Sequence, residues 1–417
     1  MPLYPKLALK PGKDIPVRAG HPWIFSEAIE TPFKTPLNLG LGDLVEVTDH
    51  RGKSLGIGTW NANTSIRIRL LSTDATKTID ATFFADRLQA LDSWKRSRLP
   101  AQTNGYRIAH AEADGLPGLI VDRYDNVIVF QLHTAGMDRL RSEIIAGITQ
   151  AFHPIAIVER SDLDVRRIEG LTDGPVLDHV FPKGTNKEGQ PLWTGHAQFQ
   201  EYGLTFTADV LHGQKTGFFL DQREARHTVH ALAKDKRVLN LFGYTGAFSV
   251  HAATGGASFV TTVDISRRAL ETAEEQFTLN NLDPGDDSKY VFLEADVFDL
   301  LNDAELPGAP HDLIICDPPA LAKNAKHVPQ AMKAYAELNA ACFRHLSPGG
   351  ILVTSSCSGR VTPEDFRTML RIAAGQARRD VRILDWITQP IDHAERIAFP
   401  EGRYLKTAIL EVTDILS

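Results

Sequence analysis

The amino-acid sequence predicts an α/β protein: a mostly parallel, doubly wound sheet in the C-terminal half, preceded by a small β domain and a central α+β domain. Three observations carry the prediction. The C-terminal half alternates near-continuous apolar runs with amphipathic helical stretches, as a parallel sheet covered on both faces requires. The first 73 residues carry short runs of period-two alternation bounded by turn residues. At 417 residues the chain also exceeds what one hydrophobic core usually supports, so several domains are expected.

The elements follow in chain order. "GDLVEVTDHRGKSLGIGTWN" reads strand, Asp-His-Arg-Gly turn, strand, and "TSIRIRLLS" adds a third strand, giving a β domain over 1–73. "TIDATFFADRLQALDSWKRSRL" then has helical spacing. "YRIAHAEADGLPGLIVDRYDNVIVFQLH" reads as strands around an Asp-Asn turn, followed by the helix "GMDRLRSEIIAGITQAF" and the strand "IAIVERS", which sets a central domain over 74–195. In the third domain, 196–417, the runs 237–242, 258–264, 290–296, 311–317 and 350–358 are strands. Helical stretches such as "SRRALETAEEQFTLNNL" and "PQAMKAYAELNAACFRHL" lie between them.

Composition narrows the function classes. Apolar residues make up 43% of the chain, yet no run approaches the roughly 18 residues of a membrane span. The start "MPLYPKLALKPGKDIP" lacks the apolar core of an export signal, so a soluble cytoplasmic protein without membrane contact is expected. Cys316, Cys342 and Cys357 are too few for a disulfide framework and none has zinc-site spacing, so no metal site is expected. The net charge of −7 divides into +3 for residues 1–73 and −10 for the rest, which places the basic excess on the small β domain.

Ligands of doubly wound sheets bind beyond the carboxyl ends of the strands, and the chemistry-bearing residues cluster there. Gly243 and Gly246 follow the first strand and precede a helix, where glycine permits positive φ and close approach of a ligand to the backbone. Asp264 ends the second strand, 21 residues after Gly243, where a carboxylate can accept both hydroxyls of a ribose. Asp296 ends the third strand and reads equally as a helix cap or as an adenine contact. Together these residues point to an adenosine-containing cofactor; neither a full G-x-G-x-x-G nor a P-loop GK[ST] is present. In Asp317-Pro318-Pro319-Ala320 the prolines take the chain out of the sheet beside an acid.

With these residues in view, 196–417 resembles a class I S-adenosylmethionine (SAM)-dependent methyltransferase with a Rossmann-like sheet. "FGYTGAF" is similar to its first motif, Asp264 to its ribose-binding acid, "EADVFD" to its third motif and "CDPPALAK" to its fourth. "HGQKTGFFLDQREAR", "AGHPWIFSEAI", "EADGLPGLIVDRYDN" and "FPEGRYLKTAIL" further resemble segments of the bacterial large-subunit rRNA (cytosine-5-)-methyltransferases that carry an N-terminal PUA domain. The resemblance covers nearly the whole chain. It implies SAM as cofactor, held by Phe242, Gly243, Tyr244, Thr245, Gly246, Asp264, Asp296 and Asp317, and ribosomal RNA as partner, with a single-stranded or flipped cytosine as target. A homodimer stays open as an assembly state.

The same resemblance implies that Cys357, in "VTSSCSGR", is the nucleophile and that Asp317 holds the N3/N4 edge of the base. Carbon 5 of cytosine is a poor nucleophile until a thiolate adds at C6. A thiol of ordinary pKa is only about 3% thiolate at pH 7, so the site must favour ionisation or take the proton. Pro319 stands where two-cysteine enzymes of this type carry a second cysteine, and Ala320 where amino-methylating enzymes carry an aromatic residue. Cys316 and Cys342 read as packing residues. Lys215, Arg223 and Arg226 read either as a solvated charged face or as a cofactor lid contacting RNA backbone, and Lys323 and Lys326 either as phosphate contacts or as loop-solubilising charges. His21-Pro-Trp-Ile-Phe reads as packing. Three alternatives to cytosine-5 methylation stay open: N-methylation of guanine or adenine, a non-catalytic RNA-binding assembly factor, and small-molecule methylation.

Overall fold

A computed structural model describes residues 4–30, 38–172, 174–180, 193–303, 306–322 and 325–413. It divides into two units. One comprises the residues up to Gln200 together with Thr207–Leu220 and Ile391–Gly402; the other comprises Glu201–Phe206, Asp221–Pro390 and the residues from Arg403 on.

The first unit holds two five-stranded sheets. Strands β1 (Lys6–Ala8), β2 (Trp23–Phe25), β3 (Leu44–Thr48), β4 (Ser54–Trp60) and β5 (Ile66–Ser72) are ordered β1-β3-β4-β5-β2. Alternate residues of these strands, Val45, Val47 and Ile68 among them, turn inward onto one small core. The second sheet is ordered β10-β9-β8-β7-β6, from β6 (Gly105–His110), β7 (Leu119–Tyr124), β8 (Val127–Leu132), β9 (Ala156–Arg160) and β10 (Val176–Val180). Helices α1 (Ala81–Arg96) and α2 (Arg141–Phe152) pack their apolar faces into its core through Phe84, Leu88, Ile144 and Ile148. Asp80 starts α1 because its carboxylate accepts the otherwise orphaned Phe83 N–H. A separate hairpin pairs β11 (His196–Glu201) with β12 (Leu204–Asp209).

The second unit is built on a seven-stranded sheet ordered β15-β14-β13-β16-β17-β19-β18. Its strands are β13 (Arg237–Leu241), β14 (Phe259–Asp264), β15 (Tyr290–Glu294), β16 (His311–Cys316), β17 (Leu346–Ser356), β18 (Asp380–Ile387) and β19 (Lys406–Thr413). The five from β13 to β17 are mutually parallel, and β19 runs antiparallel between β17 and β18. Strand order reverses about β13, so the ligand crevice of such a sheet falls between the ends of β13 and β16.

The register fixes what meets there. Leu293, Val263, Leu241, Cys316, Thr354 and Ala408 lie on one line across the sheet. The residues one step beyond it on the parallel strands, Asp264, Phe242, Asp317 and Ser355, therefore emerge side by side, with neighbouring strands about 4.8 Å apart. Helices α3 (Arg223–Leu232), α4 (Ala247–Thr254), α5 (Arg267–Leu279), α6 (Val297–Leu300), α7 (Val328–His345) and α8 (Pro363–Ala377) complete the unit, and α7 and α8 bury Tyr335, Phe343, Phe366 and Met369 in the main core. The pair β18/β19 is absent from the elements read from the sequence. Much of β18 is exposed and it has no buried apolar run to betray it.

Candidate active site at the carboxyl edge of the seven-stranded sheet

The turn after β13 is tied down by its own backbone. Gly243 N–H donates to Val263 O at 2.8 Å, and Gly246 N–H to Gly243 O at 2.8 Å. Gly246 takes a left-handed φ of +75°, and a Cβ there would lie 2.6 Å from Ala273 Cβ on α5. At Gly243 the expectation of positive φ is corrected, because the left-handed conformations fall on its neighbours Phe242 (φ +56°) and Tyr244 (φ +46°). What Gly243 supplies is the missing Cβ, which would meet Thr262 Cγ2 at 2.6 Å. Two non-glycine residues in this sparsely populated region mark backbone strain of about 1–3 kcal/mol each, of the kind that collects at functional sites.

Asp264 holds this strained turn. Its Oδ2 accepts from Tyr244 N–H at 2.8 Å and its Oδ1 from Ser266 N–H at 2.9 Å. Each carboxylate oxygen carries a second lone pair, so the acid can fix the loop and still accept the two hydroxyls of a ribose. Asp296 caps α6, accepting from Phe298 N–H at 2.7 Å through Oδ1, and its Oδ2 makes no such bond among the described residues. The capping role is thus realised with one oxygen to spare. Ile265 is 68% exposed and Phe298 43% exposed at the same edge, and the Phe298 ring lies 6.0 Å from that of half-buried Phe242. Together they form an open apolar shelf next to Asp264, of a kind that can cover the face of a planar ring. The donor set and this shelf fit an adenosine-bearing cofactor. Sequence reasoning missed Ile265 and Phe298 because exposure, not residue type, distinguishes them.

The chain leaves the sheet after Cys316: Asp317 is half-buried, Pro318 is buried, and Pro319 and Ala320 are exposed. Cys316 and Cys342 are fully buried, and their mutual contact together with burial pushes the Cys316 thiol up. Cys357 is different. It is partly accessible and follows the last residue of β17, the strand next to that of Asp317. Its neighbours are gripped from several directions. Ser356 and Ser358 are buried, and both hydroxyls lie near the Tyr335 phenol, at 3.3 and 3.4 Å. Ala322 N–H, after the prolines, reaches Ser358 Oγ at 3.5 Å. Lys406, buried at the start of β19 and paired in register with Ser356, donates to Ser358 O, Val361 O and Tyr404 O at 2.8, 2.7 and 2.7 Å. Tyr335 and Lys406 escaped the sequence reading because one lies on a helix face and the other in a distant strand.

Arg223 and Arg226 require a correction. Neither forms a solvated face or an RNA contact, since both are buried, at 0% and 1% exposure. Arg226 makes a bidentate pair with Glu201, Nε to Oε1 at 2.7 Å and one terminal nitrogen to Oε2 at 2.6 Å, and His251 Nε2 lies 3.1 Å from the same carboxylate. Burial opposes ionisation of Glu201, but Arg226 and His251 outweigh it and hold the carboxyl at about 2. Burial pushes His251 down despite the Glu201 charge, so the ring is neutral and donates from Nε2. Lys215 belongs to the other unit, where it is exposed with its ammonium 4.3 Å from the centre of the Phe219 ring. Lys326 is exposed, and Lys323 lies outside the described residues. In the small β domain Ile24 is core and Trp23 packs edge-on at 4.8 Å against Phe399, while Phe25 faces out.

Comparison with known proteins identifies the family and the fold. A family model described as S-adenosylmethionine-dependent methyltransferase matches residues 177–383, and one described as PUA-like domain matches 7–73. A protein of Shewanella frigidimarina named ribosomal RNA large subunit methyltransferase I is 38% identical over 98% of this chain and 99% of its own length. One of the same name from Salmonella choleraesuis is 37% identical over 97% of both. Among solved structures, a methyltransferase complexed with SAH superposes with a TM-score of 0.79 at 25% identity, over 98% of this chain and 100% of that one. A SAM-dependent methyltransferase from Streptococcus mutans shares the fold, with a TM-score of 0.78 at 24% identity over the same fractions of the two chains.

Proposed function

The chain belongs to the ribosomal RNA large subunit methyltransferase I family, a PUA-like domain joined to a SAM-dependent methyltransferase domain, and from that premise we propose that it forms 5-methylcytosine through Cys357. Its cofactor is SAM and its activity is methylation of ribosomal RNA. The observation that carries the finer reading is the position of Cys357. It stands at the carboxyl end of the strand adjoining that of Asp317, on the edge that also bears Asp264 and the strained Phe242–Tyr244 turn.

SAM, when bound, supplies an electrophilic methyl group; the residues of the chain do the rest. Asp264 and Asp296 hold the ribose and adenine ends, and Ile265 with Phe298 covers the purine face. Asp317 hydrogen-bonds the N3/N4 edge of a cytosine turned out of its stack and favours the N3-protonated form. The Cys357 thiolate adds to C6, and the electron pair displaced from the C5–C6 double bond makes C5 nucleophilic. After C5 has taken the methyl group, removal of the C5 proton returns a pair to the ring and expels the thiolate from C6. Pro319 replaces a second cysteine, so Cys357 serves as both nucleophile and leaving group. We further propose the division into 1–73, 74–195 and 196–417, with the basic small β domain holding RNA.

Cys357→Ala is expected to abolish 5-methylcytosine formation while SAM binding, measured by calorimetry, stays intact. RNA carrying 5-fluorocytidine should trap the wild-type protein covalently and the variant not at all, because fluorine at C5 blocks the elimination. Formation of 5-methylcytosine by Cys357→Ala overturns the nucleophile assignment, and an N-methylated purine in the mass map of the modified nucleoside overturns the product.

A further inference from the structure

Lys406 has no place in the reaction as written, and its surroundings are unusual for a lysine. It is 2% exposed, yet among the described residues no carboxylate forms an ion pair with it. All three ammonium protons are directed at carbonyl oxygens, which exhausts its donors. Two of those carbonyls, on Ser358 and Val361, belong to the loop that follows Cys357, and the third, on Tyr404, precedes β19. One step along the ladder Ser355 Oγ and Thr407 Oγ1 are 2.8 Å apart, so the two strands are pinned by side chains as well as by backbone.

We propose that Lys406 is a positioning residue for the covalent step: it clamps the loop carrying Cys357 against β19, and its buried positive charge favours the thiolate of Cys357. This rests on the reading of Cys357 as nucleophile. A carbonyl dipole satisfies an ammonium proton without cancelling the ion's charge, so the field of Lys406 extends to its neighbours through a medium that screens it less than water does. The charged groups that act on Lys406 are Cys357, just past the end of β17, and Asp365, from the first turn of α8; the Tyr335 phenol of α7 acts on Cys357, and Tyr404, whose carbonyl Lys406 holds, donates its hydroxyl to Asp221 at 2.8 Å. Asp365 accepts from Thr362 N–H and Oγ–H at 3.0 and 2.8 Å as the partner of Thr362 in the capping box of α8, and forms no ion pair with Lys406 among the described residues. Burial pushes the Lys406 ammonium down to about 8, and charge on Cys357 and then on Asp365 raises it. The cation therefore persists at neutral pH. Interaction between two charges is reciprocal, so an ammonium that is favoured by the thiolate favours the thiolate in turn.

The test is the pH dependence of iodoacetamide alkylation at Cys357 in the full-length protein, followed by mass spectrometry of its peptide. Buried Cys316 and Cys342 serve as internal controls. In Lys406→Met the alkylation midpoint should rise by about one pH unit and the rate at pH 7 fall about tenfold, with the high-pH plateau retained. Methylation by the variant should be slowed most at low pH and recover as pH rises. Lys406→Arg should return the midpoint toward that of the wild type, and Lys406→Gln should behave as Lys406→Met. Equal midpoints in wild type and Lys406→Met overturn the proposal, as does loss of SAM binding in both neutral variants, which would make Lys406 a fold residue. If Cys357→Ala is inactive while the midpoints are equal, only the role of Lys406 fails. If Cys357→Ala still makes 5-methylcytosine, the nucleophile reading fails and the role of Lys406 in the covalent step fails with it.

Discussion

Arg226 and Lys406 are both buried cations of the same unit, and their surroundings differ in kind. Arg226 meets a carboxylate in bidentate geometry, with a neutral histidine on the same acid. Lys406 meets only carbonyl oxygens among the described residues. The first arrangement closes on itself, because the charges of Arg226 and Glu201 cancel a short distance away, and its consequence is stability. The second leaves an ammonium without an ion pair among the described residues, in the strand next to the one that Cys357 follows, and its consequence, on the proposal above, is chemistry. A buried cation is thus read from its counter-charge, and two basic residues of similar burial can have unrelated roles.

The largest expected effect breaks the closed pair. Arg226→Met leaves Glu201 charged and buried and should cost about 3–5 kcal/mol in urea denaturation. Adding Glu201→Gln should recover more than half of that, since no uncompensated charge remains; a single-variant loss under about 1 kcal/mol would mean that the pair is not closed.

Acid reads the same pair without mutation. Glu201 is held at about 2 in the folded protein, below its ordinary 4.5, so the unfolded chain binds the extra proton between those values. Its contribution, about 3 kcal/mol, is complete above pH 4.5 and is lost as pH falls toward 2. The depressed His251 acts in the same direction, starting nearer 6.5, since the unfolded chain protonates it first. Comparing urea stability at pH 5 and pH 3 should show a steeper loss in wild type than in the Arg226→Met/Glu201→Gln double variant.

Lys406→Met should be milder in stability than Arg226→Met, because it strands neutral carbonyls rather than a buried charge and removes an ion whose burial is itself costly. An equal or greater loss would place both cations in the structural class. The smallest effect concerns Asp296, which caps α6 and, on the proposed reading, also binds SAM. Asp296→Ala should cost about 1 kcal/mol by uncapping α6, whereas Asp296→Asn should keep the cap and still weaken SAM binding in calorimetry.

The parts of the site that were legible in the sequence are those that depend on neighbours in the chain. The run 237–242 marks β13, and the acids and prolines that end the apolar runs sit where the strands end. The cap on α6 is written in the Asp296 position. The charged appearance of "QREAR" was misleading, because the acid that buries Arg226 is 25 residues earlier in a hairpin and nothing local announces it. Lys406 was equally silent. Its strand pairs with β17 across some fifty residues of sequence, and a lysine beginning an apolar run looks like any polar strand end.

By itself, therefore, the sequence determined which residues stand at strand ends and what chemistry each type can perform, since strand period, turn residues and caps are short-range properties of the backbone. Only the tertiary structure decided that Asp264, Phe242, Asp317 and Ser355 emerge in one row with Cys357 just beyond, and that Lys406 rather than Arg223 or Arg226 holds the loop that follows Cys357. Strand order and register come from long-range pairing and from burial of the whole sheet, and a one-residue slip in any strand would turn its side chains to the opposite face.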